Sequence, residues 1–555
     1  MAIEHFDEGV YASNLWFGPD SEYPQRALYA PPMFPFLVGI TISLFGTGAA
    51  GCMAISLATG LATVGGIWWM ARSWFGVGAG VFVLSLAALS DFHIQFSRMC
   101  LTDATLCCAL IAAVYMFSRV STGHTVSSAG IAGAAAALAW WTKYTGWLPL
   151  AICGSASVAC GVFHSKSAVS RKQLSIGWLV MVGVCAVLCV PLFQGLEDIG
   201  GYSAITSNHS GYVTGLSGWL AACRQHHAIQ LHYDDWPTLG GLLLAIVLGQ
   251  WMTWPQDAWN QASRGSRLRM ALGLLGLAAL AGLARLWIGT TATLFAICLW
   301  GLATQLFDKQ QHNAAASKLP AWLLLSWIGG LSLAVPMYQP FPRLALPWVI
   351  AVWLGAAAAL KPRDATTAEN SPKLPLHPKF LHPLVSAALS ILFVISLYAS
   401  MDSLGRLAAW QDQTHMAQTA DRMQSQIKQH SSGMSSGQYI VYTYAEPAMF
   451  YQLAARSVST LPINNLSFAH ATRQPTHAVF LITGPHADRS PTFAAEWAQV
   501  AQRFELLHES PCAPTDLVRL NSESPQSNGT LGPHPDQRLR LFQLRKRSES
   551  DLPTR

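Results

Sequence analysis

Charge is scarce in this chain. Only 11% of its 555 residues are Asp, Glu, Lys or Arg, whereas an average soluble chain carries about 25%. That deficit points to lipid rather than to a large soluble core. Paired cysteines are lacking as well. No C-x-x-C pair occurs, and Cys52, Cys100, Cys107, Cys108, Cys153, Cys160, Cys185, Cys189 and Cys298 lie within or beside apolar stretches. There they act as small packing residues rather than metal ligands. The net charge of +6 comes from basic residues dispersed among loops, which excludes a nucleic-acid footprint. No internal repeat stands out, and Met1 to Phe6 is too short for a signal peptide.

What the chain has is apolar length. Windows of roughly 18 or more apolar residues recur through most of the sequence up to residue 400, as bilayer-spanning helices require. Twelve spans are predicted: Gly48–Ala71, Val77–Leu89 extended towards Phe96, Leu101–Phe117, Ser127–Trp141, Gly146–Phe163, Leu174–Phe193, Leu239–Trp254, Met270–Ala284, Leu286–Phe307, Leu319–Val335, Leu344–Leu360 and Phe380–Tyr398. After Tyr398 the composition turns polar. A helix over Trp410–Gln429, a strand over Tyr439–Tyr444, a helix over Pro447–Ala455, a strand over Ala478–Ile482 and a helix over Phe493–Phe504 predict a small soluble α/β unit. The expected organisation is a first outer loop and interfacial helix (1–47), an all-α membrane bundle (48–400), an α/β domain (401–521) and a disordered tail (522–555).

The Lys/Arg bias of alternate loops orients the bundle. Arg72, Arg119, Lys166, Arg171, Lys172, Arg264, Arg267 and Arg269 fall on one side, together with Lys309, Lys318, Lys361, Arg363, Lys373 and Lys379. That side is expected to be cytoplasmic. The amino terminus, the loop from Gln194 to Pro237 and the carboxyl-terminal domain then face outward. An outward start with no span before it leaves two readings, passive translocation or an opening span encoded upstream, and the second is preferred.

Against that background, a few residues carry chemistry. Asp7-Glu8 places two carboxylates at the membrane surface; their mutual repulsion holds one proton near neutrality and makes a base available, and solvated loop acids are the plainer alternative. Tyr29-Ala30-Pro31-Pro32-Met33-Phe34-Pro35 forces a bend before Met33–Phe45, which is too short to span and is expected to lie in the interface. Asp103 falls about one turn into an apolar helix, with Arg98 as its nearest partner in sequence. Lys143, among Trp140, Trp141 and Trp147, and Arg343, within Met337–Pro347, are cations on the side poor in them. Each suits a lipid phosphate, although Lys143 also reads as a snorkelling lysine. His209, His226, His227, His232, Asp234 and Asp235 lack the spacing of a helical zinc motif and are read as solvated or substrate-facing.

Taken together, these residues resemble the GT-C membrane glycosyltransferases that use a polyprenyl-phosphate sugar. The closest likeness is to protein O-mannosyltransferases and the aminoarabinose transferases that modify lipid A. The likeness rests on Asp7-Glu8-x-x-Tyr11-Ala12, Pro31-Pro32, Ser97-Arg98 with Asp103, Thr142-Lys143, and Pro342-Arg343 with Leu346-Pro347. It implies that Asp7 is the catalytic position, assisted by Glu8, and that an opening span brings the total to thirteen. Where aminoarabinose transferases have a lysine before the interfacial helix, this chain has Ala30-Pro31-Pro32, so Arg26, Tyr29, Arg98, Asp103, Lys143 and Arg343 are the expected carrier and phosphate residues.

The expected function is transfer of a sugar from a polyprenyl-phosphate carrier to an outward-facing lipid, glycan or protein acceptor, in a multi-pass protein of a bacterial inner or plasma membrane. No cofactor is required, and a divalent cation on Asp7 and Glu8 is optional. The rivals are a lipid or solute flippase, which needs charges at the midplane and paired halves, and a non-catalytic scaffold.

Overall fold

The computed structural model describes residues 31–46, 49–122, 125–163, 171–197, 201–210, 212–233, 289–307, 318–360, 414–431, 439–444, 446–463, 465–470, 478–488, 490–511 and 538–545. These fall into two compact units, one within Tyr29–Arg406 and one within Leu407–Arg555.

The first unit is helical. Pro31 and Pro32 precede α1 (Met33–Phe45), which ends at Gly46 with φ +80°, a backbone conformation that glycine adopts without strain. There follow α2 (Ala49–Phe75), α3 (Val77–Leu89), α4 (Asp91–Ser97), α5 (Thr102–Ser118), α6 (Thr125–Thr142), α7 (Leu148–Phe163) and α8 (Arg171–Glu197). Next come α9 (Gly201–Ser210), α10 (Gly215–Tyr233), α11 (Thr290–Phe307), α12 (Lys318–Ala334) and α13 (Leu346–Ala357).

Five segments are long and apolar enough to cross a bilayer: Ala50–Phe75, Thr102–Thr122, Arg171–Glu197, Lys318–Met337 and Pro342–Leu360. Met33–Phe45, Val77–Leu89, Leu148–Phe163 and Thr290–Leu306 are shorter apolar helices. The expected spans Leu239–Trp254, Met270–Ala284 and Phe380–Tyr398 lie outside the described residues.

Packing in this unit relies on small residues, because in lipid the contact of backbones replaces the hydrophobic effect as the driving force. Ala129, Ala132 and Ala136 of α6 are fully buried, and Gly133 meets α8 so closely that a Cβ there would lie 2.6 Å from the Met181 carbonyl oxygen. Hydroxyls knit α2 to α5, with Thr59 Oγ1 and Thr105 Oγ1 3.1 Å apart and Ser56 Oγ donating to the Leu101 carbonyl at 3.1 Å. Leu179, Val187, Val158 and Leu61 stay exposed, as side chains that face hydrocarbon do. Cys107, Cys153, Cys160, Cys185, Cys189 and Cys298 are buried and free.

Of the twelve expected spans, five coincide with helices long and apolar enough to cross, and one other is broken. The stretch read as a single helix from Val77 towards Phe96 breaks at Ser90, whose extended backbone and side chain cap α4 through a hydrogen bond from the His93 N–H.

The second unit is a five-stranded sheet in the order β2-β1-β3-β5-β4. Its strands are β1 (Tyr439–Tyr444), β2 (Thr460–Ile463), β3 (Ala478–Thr483), β4 (Phe504–Pro511) and β5 (Arg538–Leu544). β2, β1 and β3 run parallel, and β5 is antiparallel to both β3 and β4. On one face α14 (Thr414–His430) and α15 (Pro447–Ala454) bring Met416, Met423, Ile427, Met449 and Leu453 against Val441, Phe480 and Leu541. On the other, α16 (Pro485–Asp488) and α17 (Pro491–Val500) bring Ala487 and Phe493 against Tyr444 and Leu481. Burial on both faces explains why every residue of β3 is apolar except Thr483.

Two expectations are corrected here. The helix read over Phe493–Phe504 ends at Val500, and Phe504 opens β4. The tail expected to be disordered from Ser522 contains β5: Leu539 and Leu541 are buried on one face while Arg538 is exposed, a short alternation that the polar composition around it masks.

Candidate active site

The site is built where α4, α5 and α6 end. Arg98 closes α4, its N–H bonding the Ile94 and Gln95 carbonyls. Leu101 is extended and starts α5, so Asp103 sits in the first turn, where unpaired N–H groups favour an anion. Asp103 is only 1% exposed. The expected partner, Arg98, is not what holds it. Instead Lys143 Nζ lies 2.5 Å from Asp103 Oδ1, joining the end of α6 to the start of α5 across 40 residues of sequence. The physical reason is packing: α6 lies along α5 and brings Lys143, at its end, to the buried Asp103 in the first turn of α5. Asp103 Oδ2 is buried and has no hydrogen-bond partner among the described residues.

The turn that presents Lys143 is held from several directions. Gly146 N–H donates to the Lys143 carbonyl at 2.7 Å, and a Cβ at Gly146 would come within 2.2 Å of the Trp140 nitrogen. Trp140 Nε1 donates to the Tyr202 hydroxyl at 2.7 Å, which donates to the Tyr144 carbonyl at 3.1 Å. Burial, then the neighbouring Tyr202, pushes the Tyr144 phenol well up, so it stays neutral. Ser97, 4% exposed, leans on α2 at Gly60, where a Cβ would lie 2.3 Å from its hydroxyl oxygen.

Arg343 belongs to a second constellation. It lies in the 3-10 turn Pro342–Ala345 that leads into α13, its guanidinium 5.9 Å from the centre of the Phe341 ring. Phe341, Tyr338 and Tyr212 form an aromatic triangle with centroids 5.6 to 6.0 Å apart. Tyr212–Thr214 is laced to this turn by Thr214 N–H to the Met337 carbonyl (2.8 Å), Gln339 N–H to the Tyr212 carbonyl (2.8 Å) and a Val213–Tyr338 bridge. Tyr212 and Thr214 carry no charge or motif, so sequence reasoning passed over them. The only signal was their place in the loop from Gln194 to Pro237.

The structure therefore brings together Asp103 with Lys143, and Arg343 with Phe341 and the Tyr212–Thr214 turn. Asp7, Glu8, Arg26 and Tyr29 lie outside the described residues. Of the loop histidines, His226 is buried and His227 exposed. Among the described residues no cluster of three His, Cys, Asp or Glu side chains could hold a metal ion.

Residues 29–193 match the family described as dolichyl-phosphate-mannose-protein mannosyltransferase, and this stretch contains both Asp103 and Lys143. No curated protein matches the sequence. Among solved structures, the chain is similar to ArnT from Cupriavidus metallidurans bound to undecaprenyl phosphate, at 14% identity and a TM-score of 0.40, covering 94% of this chain and 93% of that one. It is also similar to the Archaeoglobus fulgidus oligosaccharyltransferase in complex with Zn and sulfate, at 14% identity and a TM-score of 0.50, covering 91% of this chain and 66% of that one. At such identity the second likeness speaks for the fold alone. The chain is thus a multi-pass membrane protein whose residues 29–193 are similar to that mannosyltransferase family and whose fold is similar to that of the archaeal oligosaccharyltransferase.

Proposed function

We propose that this protein transfers a sugar from a polyprenyl-phosphate carrier to an acceptor on the non-cytoplasmic face of a bacterial plasma membrane. The observation that carries the reading is the Asp103–Lys143 pair, a buried carboxylate held by a partly exposed ammonium where two helices meet inside the family-matched segment. A bundle gains little from such a pair, because withdrawing two charges from water offsets most of their attraction. Its use is to hold an ammonium in place. One N–H of Lys143 goes to Asp103 Oδ1, and the other two, which have no partner among the described residues, would meet the carrier phosphate.

In the proposed reaction Asp7, assisted by Glu8, takes the proton of the acceptor's hydroxyl or amine. The acceptor atom bonds the anomeric carbon, the bond from that carbon to the phosphate oxygen breaks, and the phosphate leaves on its lipid. A single displacement inverts the configuration. Lys143 and Arg343 stabilise the charge that builds on the leaving phosphate, with Arg26, Tyr29 and Arg98 lining the carrier's path. The reading requires no cofactor, and a divalent cation on Asp7 and Glu8 is optional. It includes the full set of twelve spans and an acceptor that is a lipid, glycan or protein.

The test is Asp7→Asn in the full chain, assayed for transfer and for binding of undecaprenyl phosphate. Abolished transfer with intact binding supports the reading. Unchanged transfer removes Asp7 from the mechanism, and lost carrier binding in the unmodified chain refutes the function itself.

A further inference from the structure

Helix α10 carries a buried polar face. His226 and Gln230, one turn apart, are 9% and 5% exposed, and Ala222 and Ile229 beside them are buried as well. Both ring nitrogens of His226 and Nε2 of Gln230 are sealed from solvent without a hydrogen-bond partner among the described residues. So is Oγ1 of Thr290, fully buried at the start of α11.

The helices that carry these groups, α10 and α11, pack against each other. α11 meets residues 318 and 358 at its far end, through Lys318 Nζ to the Leu306 carbonyl and Gln305 Nε2 to the Ala358 carbonyl. The Phe295 and Trp348 rings lie 5.5 Å apart, which sets the first half of α11 beside the start of α13, the helix that the Arg343 turn leads into. α10 begins against the same region, with Trp219 Nε1 donating to the Leu333 carbonyl at 3.1 Å, and it packs on both α11 and the Pro342–Ala345 turn.

Leaving several polar atoms unmatched on two packed helices is costly, and native proteins rarely do so without a use. The chemistry of the set is specific. Burial drops His226 to about 4, so its ring is neutral, with one donor and one acceptor nitrogen. An amide and a hydroxyl complete a set with no net charge. Such a set suits vicinal hydroxyls, which donate and accept, and offers little to a phosphate, which seeks cations.

We infer that His226, Gln230 and Thr290 form a subsite for the hydroxyl groups of the donor sugar, next to the Arg343 turn. This rests on the glycosyltransferase reading above: the sugar is joined directly to the phosphate that Arg343 is proposed to meet, so a neutral polar subsite belongs beside that cation.

The experiment uses the full chain in lipid nanodiscs, with binding measured to undecaprenyl phosphate and to its mannosyl, glucosyl and 4-aminoarabinosyl derivatives. The unmodified protein should bind at least one glycosylated carrier more tightly than the bare one. His226→Leu and Gln230→Leu should each weaken that carrier by about tenfold and leave the bare carrier unchanged. Without ligand, both variants should unfold at the same point or later, since each removes an unmatched buried group. The inference is overturned if glycosylated binding is unaltered, as for groups that hold only water. Equal weakening of bare and glycosylated carriers, or lost stability without ligand, overturns it too. Should the unmodified chain bind neither carrier, the glycosyltransferase reading itself fails, a result distinct from all of these.

Discussion

Replacing Lys143 by Met tests the centre of the proposed site through two separate readouts. The change removes the ammonium 2.5 Å from Asp103 Oδ1 and leaves a carboxylate that is 1% exposed, with Oδ2 already unmatched among the described residues. Breaking a buried pair from one side costs about 3–5 kcal/mol. Because Lys143 keeps 20% of its side-chain surface, water reaches that end and the lower part of this range is expected. The double variant Asp103→Leu with Lys143→Met removes both charges, and apolar replacement of a whole pair is close to neutral. It should recover most of the loss, so the coupling between the positions is about 2–3 kcal/mol. Unfolding in mixed micelles measures stability, and transfer to an acceptor measures activity. If the pair were structural, the double variant would regain both. The expectation is that it regains stability and stays inactive. A single variant costing less than about 1 kcal/mol would refute the burial argument, since that is the worth of an exposed pair. An active double variant would refute the catalytic one.

Other consequences are simpler to reach. Gly60→Ala should destabilise by about 1–3 kcal/mol in the same unfolding assay, because its Cβ would stand 2.3 Å from Ser97 Oγ, and Ser97→Gly in the same chain should restore most of it. Truncation before Arg538 removes β5 from between β3 and β4, so the carboxyl-terminal unit should lose its protease resistance, whereas truncation after Arg545 should not. Glu509 is bonded by Arg540 (3.0 Å) and Arg538 (2.8 Å); burial alone would raise its carboxyl, but these two cations overcome that and lower it from 4.5. A lowered carboxyl gives stability present above its ordinary range and lost as pH falls through the folded value. The carboxyl-terminal unit should therefore lose under about 1 kcal/mol on acidification below pH 4.5, and Glu509→Gln should abolish that step.

The membrane helices were legible because hydrocarbon imposes a simple rule, length of apolar sequence, and α2, α5, α8 and α12 follow it. The break at Ser90 was not legible, since a serine in an apolar run is also what a span tolerates; only its cap on the His93 N–H separates the cases. β5 was hidden for the opposite reason: a seven-residue strand carries little weight inside a long polar tail, and it takes pairing with β3 and β4 and the cover of α14 and α15 to bury Leu539 and Leu541. The charged candidates declared themselves, because ions in an apolar setting are conspicuous. Their partners did not. Sequence proximity favoured Arg98 for Asp103, while the fold brought in Lys143 from the far side of α6, and no local rule weighs a contact across 40 residues.

That asymmetry has a physical root with a bearing on function. A single sequence reveals where a cost is incurred, an ion or an amide placed among apolar neighbours, but not what offsets it. At Asp103 the structure supplies the offset on one oxygen and none on the other. At His226, Gln230 and Thr290 it supplies none among the described residues. In a bundle where the buried hydroxyls of Ser56, Thr63 and Thr142 are bonded to carbonyls, the unmatched groups, Ser97 Oγ among them, stand apart. A fold that satisfies its structural polar atoms locally has no structural need of those it leaves open. The open ones are where a substrate rich in hydroxyls and bearing a phosphate would find partners that the chain does not offer itself.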